Sequence, residues 1–171
     1  MDFSFTPEQE SLRGHVQELL RAVCPPEYAE RCDREARPPR EAYDALARQG
    51  WLGLTIPAEY GGSGGSAIDL AILLEEAGRH FEELGIWVFR TLTYGGYAVL
   101  KHGTAEQKRS LLPRVARGEL SFCLGLTEPQ AGSDAAALAT RATRNGDVYV
   151  INGQKVFTSG MDISDYCLLV T

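Results

Sequence analysis

The stretch Thr-Glu-Pro-Gln-Ala-Gly-Ser-Asp, residues 127–134, marks the point where the sequence changes from helical patterns to strand patterns. It follows residues 120–126, where large apolar residues alternate with smaller or polar ones, as in a half-buried strand. Pro129 cannot donate to a sheet and Gly132 accommodates a left-handed backbone, so the strand is expected to end in a sharp turn. Such a turn presents hydroxyls, N–H groups and a carboxylate, which suit a cofactor with a hydrogen-bonding ring and a pyrophosphate.

The sequence before residue 118 has the apolar spacing and the capping residues of helices. Helix starts or helical stretches are predicted at residues 6–9, 40–49, 66–80, 86–102 and 104–107, of which 6–9 and 104–107 are capping boxes. Pro25 and Pro26 are expected to stop the first helix. Pro113 is expected to kink or split the last one, because proline lacks the amide hydrogen that a helix interior requires.

After residue 118 the apolar residues alternate in the manner of strands. Strands are predicted at residues 120–126, 139–144, 147–151, 154–159 and 165–170, with Asn-Gly hairpin signals at 145–146 and 152–153. Helices followed by antiparallel strands indicate the α+β class. We therefore predict an N-terminal all-α helical domain over residues 1–118, followed by an incomplete antiparallel β domain over residues 119–171.

The composition is that of an ordinary globular chain, with 171 residues of which 44% are hydrophobic and 23% charged. The net charge of −6 and the scattered basic residues argue against nucleic acid as a partner. Residues 1–5 lack the features of a signal peptide and no apolar run reaches membrane-span length, so a cytoplasmic location is expected. The four cysteines show no metal-ligand spacing and the three histidines stand alone, so we predict reduced thiols and no metal site.

Residues 127–134 resemble the flavin-contacting motif T-E-P-x-A-G-S-D of the acyl-CoA dehydrogenases. A second segment, residues 152–160, resembles the part of that family in which an aromatic residue lies beside the flavin and a following hydroxyl bonds to it. The family usually has tryptophan there, whereas this chain has Phe157, which keeps the stacking surface but loses the indole N–H. The loop at residues 56–66 and the helix start at residues 103–108 also resemble the family.

The resemblance implies a site for flavin adenine dinucleotide (FAD) and assigns seven residues to it. By this assignment the backbone around Leu124 and Leu126 and the Thr127 hydroxyl face the flavin ring, Phe157, Thr158 and Ser159 cover its other side, and Ser133 lies where the pyrophosphates of FAD and coenzyme A approach. In the family, FAD oxidises the Cα–Cβ bond of an acyl-CoA thioester while a carboxylate removes the α-proton. That carboxylate belongs to a C-terminal helical bundle, so the base is expected beyond Thr171, and Glu128 is rejected as a substitute.

The resemblance also implies partners: an acyl-CoA or acyl-carrier thioester as substrate, an electron-transfer flavoprotein as acceptor, and a homo- or hetero-oligomer as the complete assembly. Family members are considerably longer than this chain. The expected function is therefore FAD-dependent α,β-dehydrogenation in fatty acid metabolism, with this chain as a truncated piece or as a naturally short subunit that needs a partner. Two other functions stay open: an oxidase or monooxygenase of the same fold, and a non-catalytic partner subunit.

Two further features are expected to have only structural roles. The glycine-rich segment at residues 61–65 lacks the lysine of a phosphate-binding loop and follows no clear strand. The neighbouring pairs Glu75 with Glu76 and Glu82 with Glu83 do not face each other on a helix, so these four side chains are expected to be solvated.

Overall fold

The computed structural model describes residues 4–171 as a set of helices followed by two pairs of short strands. The helices are α1 (Pro7–Val23), α2 (Pro26–Arg34), α3 (Arg40–Arg48), α4 (Ala67–His80), α5 (Glu82–Phe89), α6 (Ala98–His102) and α7 (Ala105–Ala116). The strands are β1 (Phe122–Gly125), β2 (Arg141–Asn145), β3 (Val148–Asn152) and β4 (Tyr166–Leu169). The expectation about a signal peptide rests partly on residues 1–3, which lie outside the described residues.

A π-helix, Arg90–Tyr97, joins α5 to α6 without a break. Such wide turns are rare, and they occur frequently at functional sites. In the part of the chain that the structure describes, every helix is too short or too polar to cross a lipid bilayer.

The predicted capping boxes begin their helices as expected. Thr6 accepts a hydrogen bond from the backbone of Gln9 at the start of α1, and Thr104 accepts one from Gln107 at the start of α7. Ser66 and Asp69 make the same exchange at the start of α4. Each cap satisfies backbone N–H groups that have no partner within the helix.

One of two predictions that rest on proline is corrected. Pro25 and Pro26 stop α1 as predicted, since that helix ends at Val23. Pro26 also occupies the first turn of α2, a helix that was not predicted from the sequence. Proline is well suited to that position, since the first N–H groups of a helix are unpaired in any case. Pro113 does not split α7, which runs from Ala105 to Ala116. The buried neighbours Leu112 and Val115 hold that helix to the core on both sides of the proline.

The helices enclose one apolar core, and this core extends to the first strand. Tyr43 of α3 stacks on Trp87 of α5 with ring centroids 4.1 Å apart, and both side chains are fully buried. Phe122 at the start of β1 belongs to the same cluster. Its ring lies against Gly95 of the π-helix so closely that a Cβ atom at residue 95 would overlap it. The helical layer therefore fixes where β1 begins.

The strands confirm the α+β class, but their pairing differs from the antiparallel meander that we predicted. β2 and β3 form an antiparallel hairpin around Gly146, as expected. β1 instead pairs with β4 in parallel, with Phe122 opposite Tyr166 and Gly125 opposite Leu169. Parallel strands need a long connection, and here it contains the whole hairpin.

The strand predicted at residues 154–159 does not form. The Val156 N–H donates to the Thr127 carbonyl, 2.9 Å away, and Phe157 adopts a left-handed backbone with φ of 56°. A residue in this conformation cannot continue a pleated strand. The hairpin signal at residues 152–153 therefore leads into a loop, and this loop returns to the end of β1.

All four cysteines are free thiols. Cys24, Cys32 and Cys123 are buried, and Cys167 is partly exposed. Cys123 lies opposite Cys167 in the β1–β4 pair.

Candidate functional site

A cleft of about 350 Å³ lies between the helical layer and the end of β1. Its strand-side wall, called the β wall below, consists of Leu124, Leu126, Thr127, Phe157 and Ser159. Its opposite wall, the helical wall, consists of Ile86, Phe89, Arg90 and Tyr94. Five of the seven residues assigned from the sequence thus surround one cleft, although 30 residues separate Thr127 from Phe157.

The two remaining assigned residues lie outside this cleft. Thr158 lines a second cavity of about 350 Å³, on the side of the loop where Val156 and Cys167 lie. Ser133 is exposed on the turn after β1 and lines neither cavity. The structure therefore does not bring all seven residues together, and the roles assigned to them stay predictions.

The turn after β1 is built around the carboxylate of Glu128. Only 2% of this side chain is exposed, and it forms an ion pair with Lys155 at 2.8 Å. The backbone N–H groups of Ala139 and Thr140 donate to it at 2.7 and 2.9 Å, and the Gln130 amide donates at 2.6 Å. Residues 127–134 therefore fold around an internal anion.

These contacts decide the chemistry of Glu128. The Lys155 ammonium, followed by the donors at Thr140 and Ala139, holds the pKa of the Glu128 carboxyl well below its usual range. A general base works best with a pKa near the pH of the reaction and with a free lone pair toward the substrate. Glu128 has neither property, which agrees with its rejection as the base.

Lys155 also ties the two sequence motifs to each other. Its ammonium donates to the Leu126 carbonyl at 2.9 Å as well as to Glu128. The neighbouring Val156 N–H bonds to the Thr127 carbonyl. The loop that carries Phe157 is thereby held against the end of β1, and this explains how both motifs reach the same cleft.

Phe157 stands out from the rest of the β wall. The residue is 89% exposed, and its backbone is left-handed, with a 2.9 Å hydrogen bond from the Ser159 N–H to the Phe157 carbonyl. Residues with a strained backbone are frequent at ligand-binding sites. With the Thr127 and Ser159 hydroxyls on the same wall, the arrangement fits a flat heteroaromatic ring that accepts and donates hydrogen bonds.

None of the four residues of the helical wall was predicted from the sequence. Ile86, Phe89 and Tyr94 follow the ordinary spacing of core residues and gave no signal. Arg90 also gave none, because a single sequence does not show that this arginine is buried after folding. Its residue exposure is only 3%.

One prediction about carboxylates is wrong. Glu75 is largely solvated, with 48% of its side chain exposed, but the Glu76 side chain is only 1% exposed. Glu76 lies 3.6 Å from Arg13 of α1 and 3.9 Å from Arg79 of its own helix. Neighbouring residues point to different sides of a helix. The packing of α1 on α4 therefore buries Glu76 and leaves Glu75 exposed.

Comparison with known proteins places the chain in a family. The sequence profile of the N-terminal domain of acyl-CoA dehydrogenases matches residues 6–119, and that of the middle domain matches residues 123–171. The acyl-CoA dehydrogenase FadE26 of Mycobacterium tuberculosis is 39% identical over 175 residues, which cover 99% of this chain and 43% of FadE26. The chain belongs to the acyl-CoA dehydrogenase family.

Solved structures agree with this assignment and with the α+β fold. The ChsE4–ChsE5 complex from Mycobacterium tuberculosis matches with a TM-score of 0.84 and 40% identity, over 99% of this chain and 43% of that chain. Glutaryl-coenzyme A dehydrogenase in complex with glutaryl-CoA matches with a TM-score of 0.91 and 30% identity, again over 99% and 43%. The chain thus spans less than half the length of these relatives.

Proposed function

We propose that this chain forms the flavin-ring wall and part of the acyl-thioester site of an FAD-dependent acyl-CoA dehydrogenase. The observation that carries the proposal is the convergence of residues 127–134 and 152–160 on one cleft. In this proposal residues 1–118 are the N-terminal helical domain and residues 119–171 are the first strands of the middle β domain. The reaction is α,β-dehydrogenation of an acyl-CoA, or of an acyl-carrier thioester.

FAD, when bound, would supply the acceptor for the hydride that leaves the β-carbon. The Thr127 and Ser159 hydroxyls would donate hydrogen bonds to the ring, and the exposed ring of Phe157 would cover one of its faces. Leu124 and Leu126 would offer backbone groups and apolar contact. Thr158 and Ser133 would lie farther from the ring, with Ser133 toward the pyrophosphates.

The α-proton would be removed by a carboxylate outside these 171 residues, because Glu128 is held as an internal anion. The complete protein would therefore combine this chain with further polypeptide, either as one longer chain or as a partner subunit. We propose a homo- or hetero-oligomer in the cytoplasm, active in fatty acid metabolism. An electron-transfer flavoprotein would accept its electrons.

The test is the double variant Thr127→Ala with Ser159→Ala in the complete protein. Loss of two hydrogen bonds to the ring is expected to weaken FAD binding roughly tenfold or more. Flavin affinity is measured from visible absorbance after titration of the apoprotein with FAD. Thr143→Ala, on the exposed strand β2, is the matched control and should leave the affinity unchanged. An unchanged affinity in the double variant contradicts the proposal.

Phe157 favours a second candidate function, a flavoprotein oxidase or monooxygenase of the same fold. It stands where dehydrogenases usually have tryptophan, and it is 89% exposed. Rapid reoxidation of the reduced flavin by oxygen, without any electron carrier, would support this candidate over the dehydrogenase. A third candidate, a non-catalytic partner subunit, would be supported by co-purification with a second chain that carries the base.

A further inference from the structure

Two cysteines lie on the neighbouring strands β1 and β4. Cys123 and Cys167 are directly opposite each other in this parallel pair. Paired strands are about 4.8 Å apart. The Cα atoms of two cysteines joined by a disulfide bond are usually about 4.4–6.8 Å apart. The backbone therefore brings these two residues within the range of a disulfide bond.

The two sulfurs lie on the same face of the strand pair. A Cβ atom at Gly125 would lie 3.2 Å from the Cys167 sulfur. Gly125 is two residues after Cys123, so both positions face the same side of β1. The Cys123 sulfur lies 3.7 Å from the carbonyl oxygen of Tyr166, the residue before Cys167. Burial, followed by the Cys167 thiol beside it, raises the pKa of the Cys123 thiol.

The two thiols differ in their access to solvent. Cys123 is fully buried, whereas Cys167 is partly exposed and lines the second cavity of about 350 Å³. A small oxidant that enters this cavity can reach Cys167 but not Cys123. Redox-sensing cysteines are typically accessible thiols of this kind, with a second thiol close by that completes the reaction.

We propose that Cys123 and Cys167 form a redox switch, in which hydrogen peroxide converts the two thiols into a disulfide bond between β1 and β4. The Cys167 thiol loses its proton, and its sulfur attacks one oxygen of the peroxide. The O–O bond breaks, which gives a sulfenic acid at Cys167 and a hydroxide that takes up the proton as water. The Cys123 sulfur then attacks the Cys167 sulfur, and the displaced hydroxide leaves with the Cys123 proton as a second water. Both sulfurs are oxidised, and both peroxide oxygens are reduced to water.

The switch acts on the two strands that support the β wall. β1 leads into Thr127, and β4 follows the loop that carries Phe157 and Ser159. A covalent bond between β1 and β4 keeps these strands paired and restricts the unfolded chain, which stabilises the fold. In a reducing compartment such bonds are usually transient and redox-sensing, so the free thiols are the resting state.

The experiment treats the complete protein with hydrogen peroxide, blocks the remaining thiols in denaturant and digests the protein with trypsin without reduction. Trypsin cleaves after Lys155 and thereby separates the peptide of Cys123 from that of Cys167. Mass spectrometry should find these two peptides linked, with the loss of two hydrogen atoms, and dithiothreitol should separate them. The midpoint of urea denaturation should shift to higher urea on oxidation and return on reduction. Neither measurement depends on flavin or on substrate.

The chain offers matched controls for this reaction. Cys24 and Cys32 are both buried in the helical core, so peroxide should leave them as thiols. Cys167→Ser should abolish the linked peptides and the shift in midpoint, and it should leave Cys123 reduced. Cys32→Ser should retain both the linked peptides and the shift.

Three results in the wild type would overturn the proposal, whether or not the variants fold. One is the survival of both thiols in excess peroxide. Another is oxidation of Cys167 to a sulfinic acid without any link to Cys123. The third is oxidation confined to Met161, whose sulfur lies 3.5 Å from that of Cys123 and whose exposure is 59%.

Discussion

At the scale of single residues, Phe157 combines a backbone cost with an exposed ring. A left-handed conformation costs a non-glycine residue about 1–2 kcal/mol, and the ring gains little from packing because the residue is 89% exposed. Phe157→Gly should therefore raise the free energy of unfolding by about 1 kcal/mol, measured by urea denaturation. The same variant should weaken FAD binding in the complete protein.

Phe157→Ala is the matched control for that prediction. It removes the same ring but keeps a Cβ atom, so the left-handed strain remains and stability should not rise. Equal stability of the glycine and alanine variants would show that the backbone at residue 157 is unstrained. Phe157→Trp, which restores the residue usual in the family, should retain the flavin.

At the scale of elements, the contact between the π-helix and β1 depends on a missing side chain. Gly95→Ala would place a methyl group into the ring of Phe122, and such overpacking costs about 1–3 kcal/mol. The free energy of unfolding should fall by that amount. Gly96→Ala is the control, since its nearest neighbours, the Thr91 carbonyl and Val115, lie 3.5 and 3.8 Å from the added carbon. It should be neutral or slightly stabilising, because alanine favours helices over glycine. Equal losses in both variants would contradict the proposed contact.

The elements also show what the sequence could and could not predict. Capping boxes at Thr6 and Thr104 are local signals, and the helices begin where they indicate. α2 was missed because Pro26 suits both the end of one helix and the first turn of the next. The parallel pairing of β1 with β4 joins residues more than 40 positions apart, and no local pattern specifies such a partner.

The candidate site also has residues that the sequence could predict and residues that it could not. Thr127, Phe157 and Ser159 could be predicted because they lie in sequence motifs that resemble those of the family. The structure places all three on one wall of the cleft. Arg90 was not found, because its significance depends on which atoms surround it after folding. Burial is a property of packing, which a single sequence does not record.

At the scale of the whole molecule, acid should weaken the fold through Glu41. The Tyr28 hydroxyl, 2.6 Å away, and the Arg37 guanidinium lower the pKa of Glu41 to about 2. A glutamate in the unfolded chain has a pKa of about 4.3. Between about pH 2 and about pH 4.3, Glu41 therefore binds more protons in the unfolded chain than in the folded chain. The stabilisation is therefore complete above about pH 4.3 and is lost as the pH falls toward about 2.

Removal of the main donor tests this pH dependence. In Tyr28→Phe, urea denaturation from about pH 5 to about pH 2 should show a shallower loss of stability than in the wild type. Tyr149→Phe, which changes an exposed hydroxyl on β3, should follow the wild-type curve. Parallel curves for Tyr28→Phe and the wild type would mean that the Tyr28–Glu41 bond contributes nothing to folding.

The positions of the cysteines make opening of the molecule measurable without any added label. Burial raises the pKa of the Cys24 and Cys123 thiols to about 11, so in the closed protein these sulfurs are both covered and protonated. An alkylating reagent can modify these thiols only while the surrounding structure is transiently open. The rate of alkylation therefore reports how often that region opens. Cys24 lies in the helical core and Cys123 on β1, so separate alkylation rates would report whether the two parts of the chain open together or independently.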